Sequence, residues 1–334
     1  MYDTGMASEL REAPDAVRRQ DSAADVIAEL AARCRAKPPQ FVVTCGRGSS
    51  AHAATYGKHL IERHLGIAVG AAAPNVATVY GQRMRLKNQL VLTISQSGRS
   101  DDLNEFAAMA KQAGALTVAL VNDGQSPLAR GSDIVLPIAA GPEKSVAATK
   151  SFVASCAMLL RWVAAWNADD KMRAAVERLP DRLAAAAELD WSAAVPEVAD
   201  ATSLTTIGRG PTLAIAREAA LKLKETCELQ AEPFSSAEFQ HGPMALVEAR
   251  YPVLMFMPTD ESAAGVRDFA ANLRRKGAAL FCSGEELPAL APDHGDADAL
   301  CLIQSFYSFI IQVAQRRGTD VDQPRHLQKV TRTR

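Results

Sequence analysis

The sequence lacks several features that define large classes of proteins. It has no uninterrupted run of about 18 apolar residues, and Asp3, Glu9, Arg11 and Glu12 lie where a signal peptide needs an apolar core. Lysine and arginine (37) nearly balance aspartate and glutamate (38), and no block of like charge stands out. The composition therefore predicts a cytoplasmic protein that binds neither nucleic acid nor an anionic membrane.

Motifs of nucleotide and metal sites are also missing. Neither GxxxxGK[ST] nor GxGxxG occurs, so nothing supports nucleotide binding. The six cysteines form no CxxC pair and have no metal-ligand spacing with histidine; they are Cys34, Cys45, Cys156, Cys227, Cys282 and Cys301. We expect buried, reduced thiols and neither a metal nor an organic cofactor.

The sequence does contain an internal repeat. Residues 41–48 (FVVTCGRG) and 204–210 (LTTIGRG) both read as an apolar strand followed by a glycine turn, with Gly46 and Gly208 separated by 162 residues. Further strand-like segments repeat at nearly the same offset: Leu90–Ser95 with residues 253–257, and Leu116–Val121 with residues 278–282. Because helical segments separate these strands, each half predicts an α/β domain with a parallel sheet flanked by helices.

The repeat and the length predict two domains, since 334 residues exceed the size at which one hydrophobic core stops growing. Residues 6–36 have apolar positions at helical spacing, and we expect this leader to pack on the first domain. The joining segment, residues 170–200, predicts helices punctuated by two prolines, Pro180 and Pro196. We place the boundary near residue 195: residues 1–195 hold the leader and the first domain, and residues 196–334 hold the second domain and a C-terminal tail.

Small hydroxyl residues follow two strands of the first half. Both turns lie at the carboxyl edge of the predicted sheet, where open α/β sheets bind ligands. Hydroxyls, backbone amides and a helix N-terminus together form a neutral anion cradle. One serine would be a helix cap, but several in adjacent turns indicate a phosphate site. The turns contain Ser49 and Ser50, and Ser95, Gln96, Ser97 and Ser100.

The second half carries acid and base groups. Glu218, Lys222 and Glu225 are four and three residues apart, which places them on one face of a helix, and His241 follows. Glutamate and histidine transfer protons near neutral pH, and lysine can stabilise an oxyanion. Spacing alone favours the alternative of a solvated surface ion pair, worth only about 0.3–0.5 kcal/mol.

Five motifs, in the same order, resemble the double sugar isomerase (SIS) module. They are the turn at 95–98 (SQSG), the segment 140–150 (AGPEKSVAATK), the helix 218–225, residues 240–243 (QHGP) and the tail 318–325 (GTDVDQPR). From about residue 40 onward the chain resembles the isomerase half of glucosamine-6-phosphate synthase. That enzyme also has a glutaminase domain with a cysteine directly after the initiator methionine. This chain has Tyr2 there, so we expect no release of ammonia from glutamine.

Among stand-alone double-SIS proteins, the chain most resembles the bacterial glucosamine-6-phosphate deaminases of the isomerase-domain type. The resemblance rests on residues 47–50 (RGSS), 97–100 (SGRS) and 327–334 (LQKVTRTR). It implies that glucosamine 6-phosphate becomes fructose 6-phosphate and ammonia by ring opening, C2-to-C1 proton transfer and imine hydrolysis. It also implies a homodimer in which each active site borrows the His241 loop of the partner.

The same resemblance implies roles for individual residues. Glu225 moves the proton between C1 and C2, Lys222 steadies the enolate-like oxygen, and His241 opens the pyranose ring. Lys329 falls where the synthase forms a Schiff base with the ketose, or it is a plain tail lysine. The residues that bind substrate are Ser49, Ser50, Ser95, Gln96, Ser97, Ser100, Val146 and Ala147.

Several alternatives stay open. A galactosamine-6-phosphate deaminase, a deglycase of fructosamine 6-phosphates and an ammonia-dependent synthase need similar groups. A non-catalytic sugar-phosphate sensor needs the serine cradle but not the Glu/Lys/His set. Such regulators usually carry a helix-turn-helix domain, which residues 1–40 are too short to hold. Arg47 and Arg99 depart from the synthase pattern and have no assigned role.

Overall fold

The computed structural model describes residues 3–329, which form two parallel sheets. The strands of the first sheet are β1 (Phe41–Cys45), β2 (Ala68–Ala71), β3 (Leu90–Ser95), β4 (Leu116–Val121) and β5 (Ile134–Pro137), in the spatial order β2-β1-β3-β4-β5. The strands of the second sheet are β6 (Ser203–Gly208), β7 (Gln230–Ser235), β8 (Pro252–Met255) and β9 (Ala279–Cys282), in the order β7-β6-β8-β9. Every neighbouring pair is parallel.

Helices precede, connect and follow these strands. The helices up to the end of the first sheet are α1 (Gly5–Arg11), α2 (Ala13–Arg19), α3 (Ala24–Ala36), α4 (Ser49–Leu65), α5 (Asn75–Thr78), α6 (Asp101–Gln112) and α7 (Pro127–Gly131). The later helices are α8 (Lys150–Asn167), α9 (Asp170–Ala187), α10 (Val195–Asp200), α11 (Thr212–Cys227), α12 (Ala263–Arg275) and α13 (Gly295–Arg317). Short 3₁₀ turns span Gln20–Ala23, Ser192–Ala194, Glu238–Gln240 and Pro243–Leu246.

The predicted α/β fold with two repeated parallel sheets is confirmed. Strands β1, β3 and β4 correspond to β6, β8 and β9, as the repeat indicates. The repeat missed β2, β5 and β7, which all lie at sheet edges. An interior parallel strand is covered on both faces and reads as an apolar run, as the fully buried β3 does. An edge strand such as β7 (QAEPFS) is partly exposed and tolerates proline, so it has no such signature.

The described chain divides into two compact units, each with one sheet. The first-sheet unit comprises Asp15–Glu143, Ala154–Glu177 and residues 328–329. The second-sheet unit comprises residues 3–14, Lys144–Val153 and Arg178–Leu327. The expectation that the whole leader packs on the first domain is wrong, because α1 belongs to the second-sheet unit and packs against α13. A boundary near residue 195 stays a prediction.

Two helices differ from what the sequence suggests. Pro180 does not end a helix but lies inside α9, whose neighbouring Leu179 and Leu183 are fully buried. Burial of that apolar face offsets the roughly 3 kcal/mol that an interior proline costs.

Helix α13 has an 18-residue window with a mean hydropathy of 1.4, long and apolar enough to cross a membrane, yet 89% of that window is buried inside the protein. A helix that is apolar on all sides and buried in this way is typical of a protein core.

Candidate active site

The two serine turns lie at the point where the strand order of the first sheet reverses. Strand β1 pairs with β2 on one side and with β3 on the other. At such a switch point the connections leave toward opposite faces, and a crevice opens at the carboxyl ends of the strands. Ser49 and Ser50 begin α4 after β1, and residues 95–100 join β3 to α6. The fold therefore brings both turns to the edge that the sequence predicts.

The hydroxyls of the second turn shape the turn itself. The Ser95 hydroxyl accepts a hydrogen bond from the Gly98 amide at 3.1 Å, and the Ser97 hydroxyl accepts one from the Arg99 amide at 3.3 Å. Ser100 occupies the N-cap of α6 with an extended backbone, but its hydroxyl makes no capping hydrogen bond. A plain capping role, the simpler interpretation of these serines, therefore does not explain Ser100.

Position 98 requires glycine. Gly98 has φ +61, in the left-handed region, and an added Cβ would lie 2.2 Å from the Ser126 hydroxyl oxygen. Because Ser126 is fully buried and its hydroxyl accepts a hydrogen bond from the Ala129 amide, it has no room to move away. The tight turn at residues 95–100 therefore depends on this one glycine.

Two arginines flank the serine turns, and carboxylates hold both of them. Arg47 donates from Nε (3.1 Å) and Nη2 (2.8 Å) to Oδ2 of Asp102, whose side chain is buried. Arg99 donates from Nη2 to Oδ2 of Asp123 at 2.8 Å. A backbone hydrogen bond from Gln125 and the Arg99 guanidinium both lower the pKa of Asp123. The arginines are thus fixed in position and partly neutralised at the mouth of the crevice.

The corresponding turn of the second sheet has a different charge. Ser262 is the N-cap of α12 and lies 162 residues after Ser100, at the repeat offset. Its hydroxyl donates to Asp260 Oδ1 at 2.5 Å, and Glu261 lies between these two residues in the sequence. Two carboxylates at this turn would repel an anion. Only the turn of the first-sheet unit therefore keeps the residues from which a phosphate site is predicted.

In the second-sheet unit, α11 carries a buried group of charges. The side chains of Glu218 and Lys222 are 0% and 1% exposed, and Lys222 Nζ lies 3.4 Å from Glu218 Oε1. Lys222 Nζ also contacts Oε2 of Glu225, whose side chain is 21% exposed. The Tyr307 hydroxyl, on α13, donates to Glu218 Oε1 at 3.5 Å. The alternative of a solvated surface pair is wrong, because α13 packs against α11 and covers this face.

Burial changes what this ion pair indicates. Removing a carboxylate or an ammonium from water costs several kcal/mol per ion, and mutual attraction recovers only part of that cost. A buried ion pair is therefore weak evidence for stability. A buried lysine between two glutamates, one of which reaches solvent, is instead a candidate for proton transfer and charge stabilisation.

No hydrogen bond of the described chain links His241 to the charged group on α11. It follows the 3₁₀ turn Glu238–Gln240, is exposed, and its side chain makes no hydrogen bond or ion pair within residues 3–329. The next residue, Gly242, has φ +133, and Leu246 a few residues later is 53% exposed. No hydrogen bond joins His241 to Glu225 or Lys222 in the described chain, so the three predicted catalytic groups are not assembled by direct contact.

Two acidic residues that the sequence does not single out, Glu9 and Asp322, hold the segment with Val146 and Ala147. Glu9, on α1, accepts hydrogen bonds from the backbone amides of Lys144 and Ser145. The Val146 amide donates to the Asp322 carbonyl at 3.3 Å. Each of these partners is more than 130 residues from the segment it holds, and no local sequence pattern predicts the contact.

Asp322 and Glu12 complete this network. The Asp322 carboxylate accepts the amides of Gly5 and Met6, each at 2.7 Å, and so satisfies the free N–H groups at the start of α1. Glu12 accepts a hydrogen bond from the fully buried Lys150 at 2.5 Å. Asp322 lies in the tail motif 318–325, and Lys150 is the last residue of the motif 140–150. Both motifs therefore contact α1 or Glu12, the residue that follows it.

Lys329 is paired in the first-sheet unit. Its Nζ lies 2.9 Å from Oε2 of Glu143, whose side chain is 0% exposed, whereas the Lys329 side chain is 24% exposed. Glu143 lies in the motif 140–150, and the sequence alone assigns it no role. The rest of the terminal motif, residues 330–334, lies outside the described residues.

The cysteines offer no nucleophile. All six are buried, and none forms a disulfide, as expected. Burial raises the pKa to about 12 for Cys34, Cys45, Cys227, Cys282 and Cys301. In one cluster, Cys282, Glu285 and Glu286 have possible ligand atoms within 4.8 Å of one another. Arg274 binds both of these carboxylates, so an ion pair accounts for the cluster.

Two open parallel sheets, with a hydroxyl-rich turn at the switch point of the first, define the class of protein. The chain belongs to the SIS domain family, which matches residues 39–165 and 197–283. It is 33% identical over 317 residues to the glutamine–fructose-6-phosphate aminotransferase (isomerizing) of Pseudomonas putida, a match that covers 86% of this chain and 50% of that protein. The chain thus spans about half the length of the curated relatives it matches.

Solved structures share the fold over nearly the whole chain. A "putative phosphosugar isomerase" from Silicibacter pomeroyi has a TM-score of 0.91 and 44% identity, covering 96% of this chain and 100% of that one. The C-terminal domain of glucosamine-fructose-6-phosphate aminotransferase from Francisella tularensis has a TM-score of 0.81 at 25% identity, covering 97% and 99%. Glucosamine-6-phosphate deaminase from Thermotoga maritima has a TM-score of 0.78 at 21% identity, covering 99% and 100%, which shows the shared fold.

Proposed function

We propose that this protein is a glucosamine-6-phosphate deaminase, which converts glucosamine 6-phosphate and water to fructose 6-phosphate and ammonia. The observation that carries the proposal is the buried group of Glu218, Lys222 and Glu225 on α11. A sensor that only binds a sugar phosphate needs the serine turns, but it has no use for a buried ammonium between two carboxylates. The SIS family and the phosphosugar relatives support the substrate class.

Binding and ring opening come first in the proposed reaction. Ser49, Ser50 and the 95–100 turn hold the phosphate through hydroxyls and amides, and the backbone at Val146 and Ala147 holds the sugar. His241 donates a proton to the ring oxygen as the C1–O5 bond breaks. The open chain has an aldehyde at C1, which makes the hydrogen on C2 acidic.

Proton transfer and imine hydrolysis follow. Glu225 removes the C2 proton and returns it to C1, while Lys222 stabilises the negative charge that develops on the C1 oxygen. The enaminol becomes a ketimine at C2. Attack on C2 by water, or by Lys329 with later hydrolysis, releases ammonia and leaves the ketone of fructose 6-phosphate. The partial exposure of Glu225 suits a base that must reach substrate.

The direct test is a coupled assay that measures ammonia and ketose phosphate with a panel of substrates. We expect both products from glucosamine 6-phosphate. Turnover of galactosamine 6-phosphate or of a fructosamine 6-phosphate in preference would replace the proposal with the corresponding deaminase or deglycase. Tight binding of hexosamine phosphates without turnover of any would favour the sensor.

The reverse reaction is a second candidate, because the curated relatives are named aminotransferases. An ammonia-dependent synthase would use the same proton-transfer groups to make glucosamine 6-phosphate from fructose 6-phosphate and ammonia. The same assay distinguishes the two directions when it is started from either side. We expect net deamination at low ammonia concentration.

The serine turn predicts a binding defect. Ser97→Ala and Ser100→Ala should each raise KM about ten- to hundredfold, because a hydrogen bond to a charged partner is worth about 1.5–3 kcal/mol. The matched control is Ser262→Ala, at the repeat-related N-cap beside Asp260, which should leave KM unchanged. Steady-state kinetics measures the effect. Unchanged KM in both turn variants would mean that phosphate binds elsewhere.

We also propose that the protein is a homodimer in which His241 completes the active site of the partner. The exposure of His241 and Leu246, and the absence of a hydrogen bond from His241 within residues 3–329, support this proposal. Mixing inactive Glu225→Gln and His241→Ala variants should then restore activity on the order of a quarter of the wild-type value, since half of the randomly formed dimers have one complete site. Lack of recovery after demonstrated subunit exchange would contradict a shared site.

A further inference from the structure

The helix that follows the serine turn begins with two carboxylates. Asp101 is exposed and Asp102 is buried, and both lie in the first turn of α6, directly after Ser100. A carboxylate one or two residues from Ser100 would repel a phosphate bound there. Hydroxyls and amides carry no net charge and do not cancel this repulsion. The phosphate site therefore needs a cation besides the serine turns.

Arg47 connects the two serine turns. Its carbonyl accepts hydrogen bonds from the amides of Ser50 at 3.0 Å and Ala51 at 3.3 Å, so its backbone belongs to the turn that begins α4. Its side chain donates from Nε (3.1 Å) and Nη2 (2.8 Å) to Asp102, in the first turn of α6. Arg47 therefore spans from the N-terminus of α4 to that of α6, the two helix ends that the proposed phosphate site uses.

Asp102 fixes the guanidinium of Arg47 but leaves part of it free. Both donated hydrogen bonds go to Oδ2 of Asp102, while Oδ1 accepts one from the Leu103 amide at 2.9 Å. The Asp102 side chain is 2% exposed and the Arg47 side chain is 54% exposed. Nη1 of Arg47 has no hydrogen-bond partner within residues 3–329. A guanidinium held in place, half-exposed and with unused N–H groups is well suited to bind phosphate oxygens.

Arg99, the other arginine beside the turns, has a different kind of partner. It pairs with Asp123, and the two side chains are 57% and 38% exposed. An exposed pair of this kind forms at little cost and needs no functional reason. Burying a carboxylate such as Asp102 is costly unless the carboxylate is paired. Of these two arginines, Arg47 is therefore the one that a buried group anchors.

We propose that Arg47 binds the phosphate of the substrate through its free N–H groups and selects a dianion over a monoanion, while Asp102 positions the guanidinium. This inference rests on the proposed function and extends its phosphate site from the serine turns to a cation. A phosphate monoester carries close to two negative charges at neutral pH. A fixed cation attracts that dianion more strongly than a monoanion of the same shape.

Direct binding of two sugar alcohol esters tests this selection without turnover. Glucitol 6-phosphate and glucitol 6-sulfate lack the carbonyl that the reaction needs, and at about pH 7.5 the first is close to a dianion and the second is a monoanion. By calorimetry, the wild type should bind the phosphate at least about tenfold more tightly. Arg47→Gln should weaken phosphate binding about ten- to hundredfold and sulfate binding less than about threefold. Arg18→Gln, in an exposed arginine–aspartate pair on α2, is the matched control and should bind both esters as the wild type does.

Two further variants separate direct contact from other effects. Arg47→Gln combined with Asp102→Asn removes both charges, and we expect phosphate binding to stay at least about tenfold weak because the donors are still absent. Recovery to within about twofold of the wild type would show that Arg47 only cancels Asp102. Arg47→Lys keeps an ion pair with Asp102 and should unfold in denaturant as the wild type does. It should still bind the phosphate about three- to tenfold more weakly, since lysine lacks the planar fork, and wild-type binding by this folded variant would contradict the proposal.

Kinetics distinguishes this inference from the proposed function. Arg47→Gln should raise KM for glucosamine 6-phosphate while kcat stays within about threefold, because the phosphate contact is the same in ground and transition states. Ammonia release by this variant with an unchanged KM would overturn the role of Arg47 and leave the deaminase intact. A wild type that binds phosphate and sulfate esters equally would overturn it as well. A dianion preference that depends on Arg47, in a protein that releases no ammonia, would support Arg47 and refute the deaminase.

Discussion

Replacing Glu225 with glutamine should lower kcat by about 10²–10⁴-fold while substrate affinity changes little. Glutamine keeps the size and hydrogen-bonding capacity of the side chain but cannot accept the C2 proton. Because glutamine has the shape of glutamate and Lys222 keeps its ion pair with Glu218, we expect the packing of α11 to be retained. An interaction used only in the chemical step is lost, so the effect appears in kcat and not in KM.

Hydrogen exchange identifies the step that fails. The Glu225→Gln variant should bind hexosamine phosphate but should not exchange the C2 hydrogen with deuterated solvent, whereas ring opening by His241 continues. Glu232→Gln, at an exposed position of strand β7, is the matched control and should exchange as the wild type does. Exchange at the wild-type rate in Glu225→Gln would show that another group is the base and would strengthen the sensor alternative.

Replacing Lys222 with methionine should lower the free energy of unfolding by about 3–5 kcal/mol, the usual cost of breaking a buried ion pair from one side. The ammonium of Lys222 contacts both Glu218 and Glu225, and the Glu218 side chain is fully buried. Methionine fills a similar volume, so loss of charge rather than loss of packing causes the effect. Denaturant unfolding measures it, and activity should be lost as well, because the developing oxyanion has no cation.

A double variant tests the electrostatic origin of that loss. In Lys222→Met combined with Glu218→Gln, neither side chain carries a charge, and most of the stability should return. Activity should stay low, since Lys222 is still absent. A single Lys222→Met variant as stable as the wild type would show that the two glutamates do not depend on this ammonium. A double variant no more stable than the single one would point to packing as the cause.

The interior strands could be predicted because burial on both faces leaves a local sequence pattern, a short apolar run. Strands β1, β3 and β4, and their counterparts β6, β8 and β9, include every interior strand of both sheets and read as short apolar runs between glycine turns and helices. The strands that escaped prediction lie at edges, where one side is open and polar residues are tolerated. The turn at 95–100 was found for the same local reason, because a strand end, hydroxyls and a helix start follow one another in the sequence.

Helix α11 shows where local sequence information ends. The spacing of Glu218, Lys222 and Glu225 placed them on one face, but it equally suited a surface pair. The difference came from α13, which covers that face and supplies Tyr307, 89 residues after Glu218. Burial is a property of the packed elements, so spacing within one helix does not reveal it.

By itself, the sequence determined the α/β class, the repeat and the position of the serine turns, and it proposed a set of acid–base groups, since strands, turns and helix faces each depend on residues close together in the chain. Only the tertiary structure decided which charges are buried and which distant residues hold the site. Glu9 meets Ser145 across 136 residues, and Glu143 meets Lys329 across 186. Such pairings form when separate elements pack. Such a pairing leaves no periodic pattern in the sequence, because it is a single contact and does not repeat along either segment.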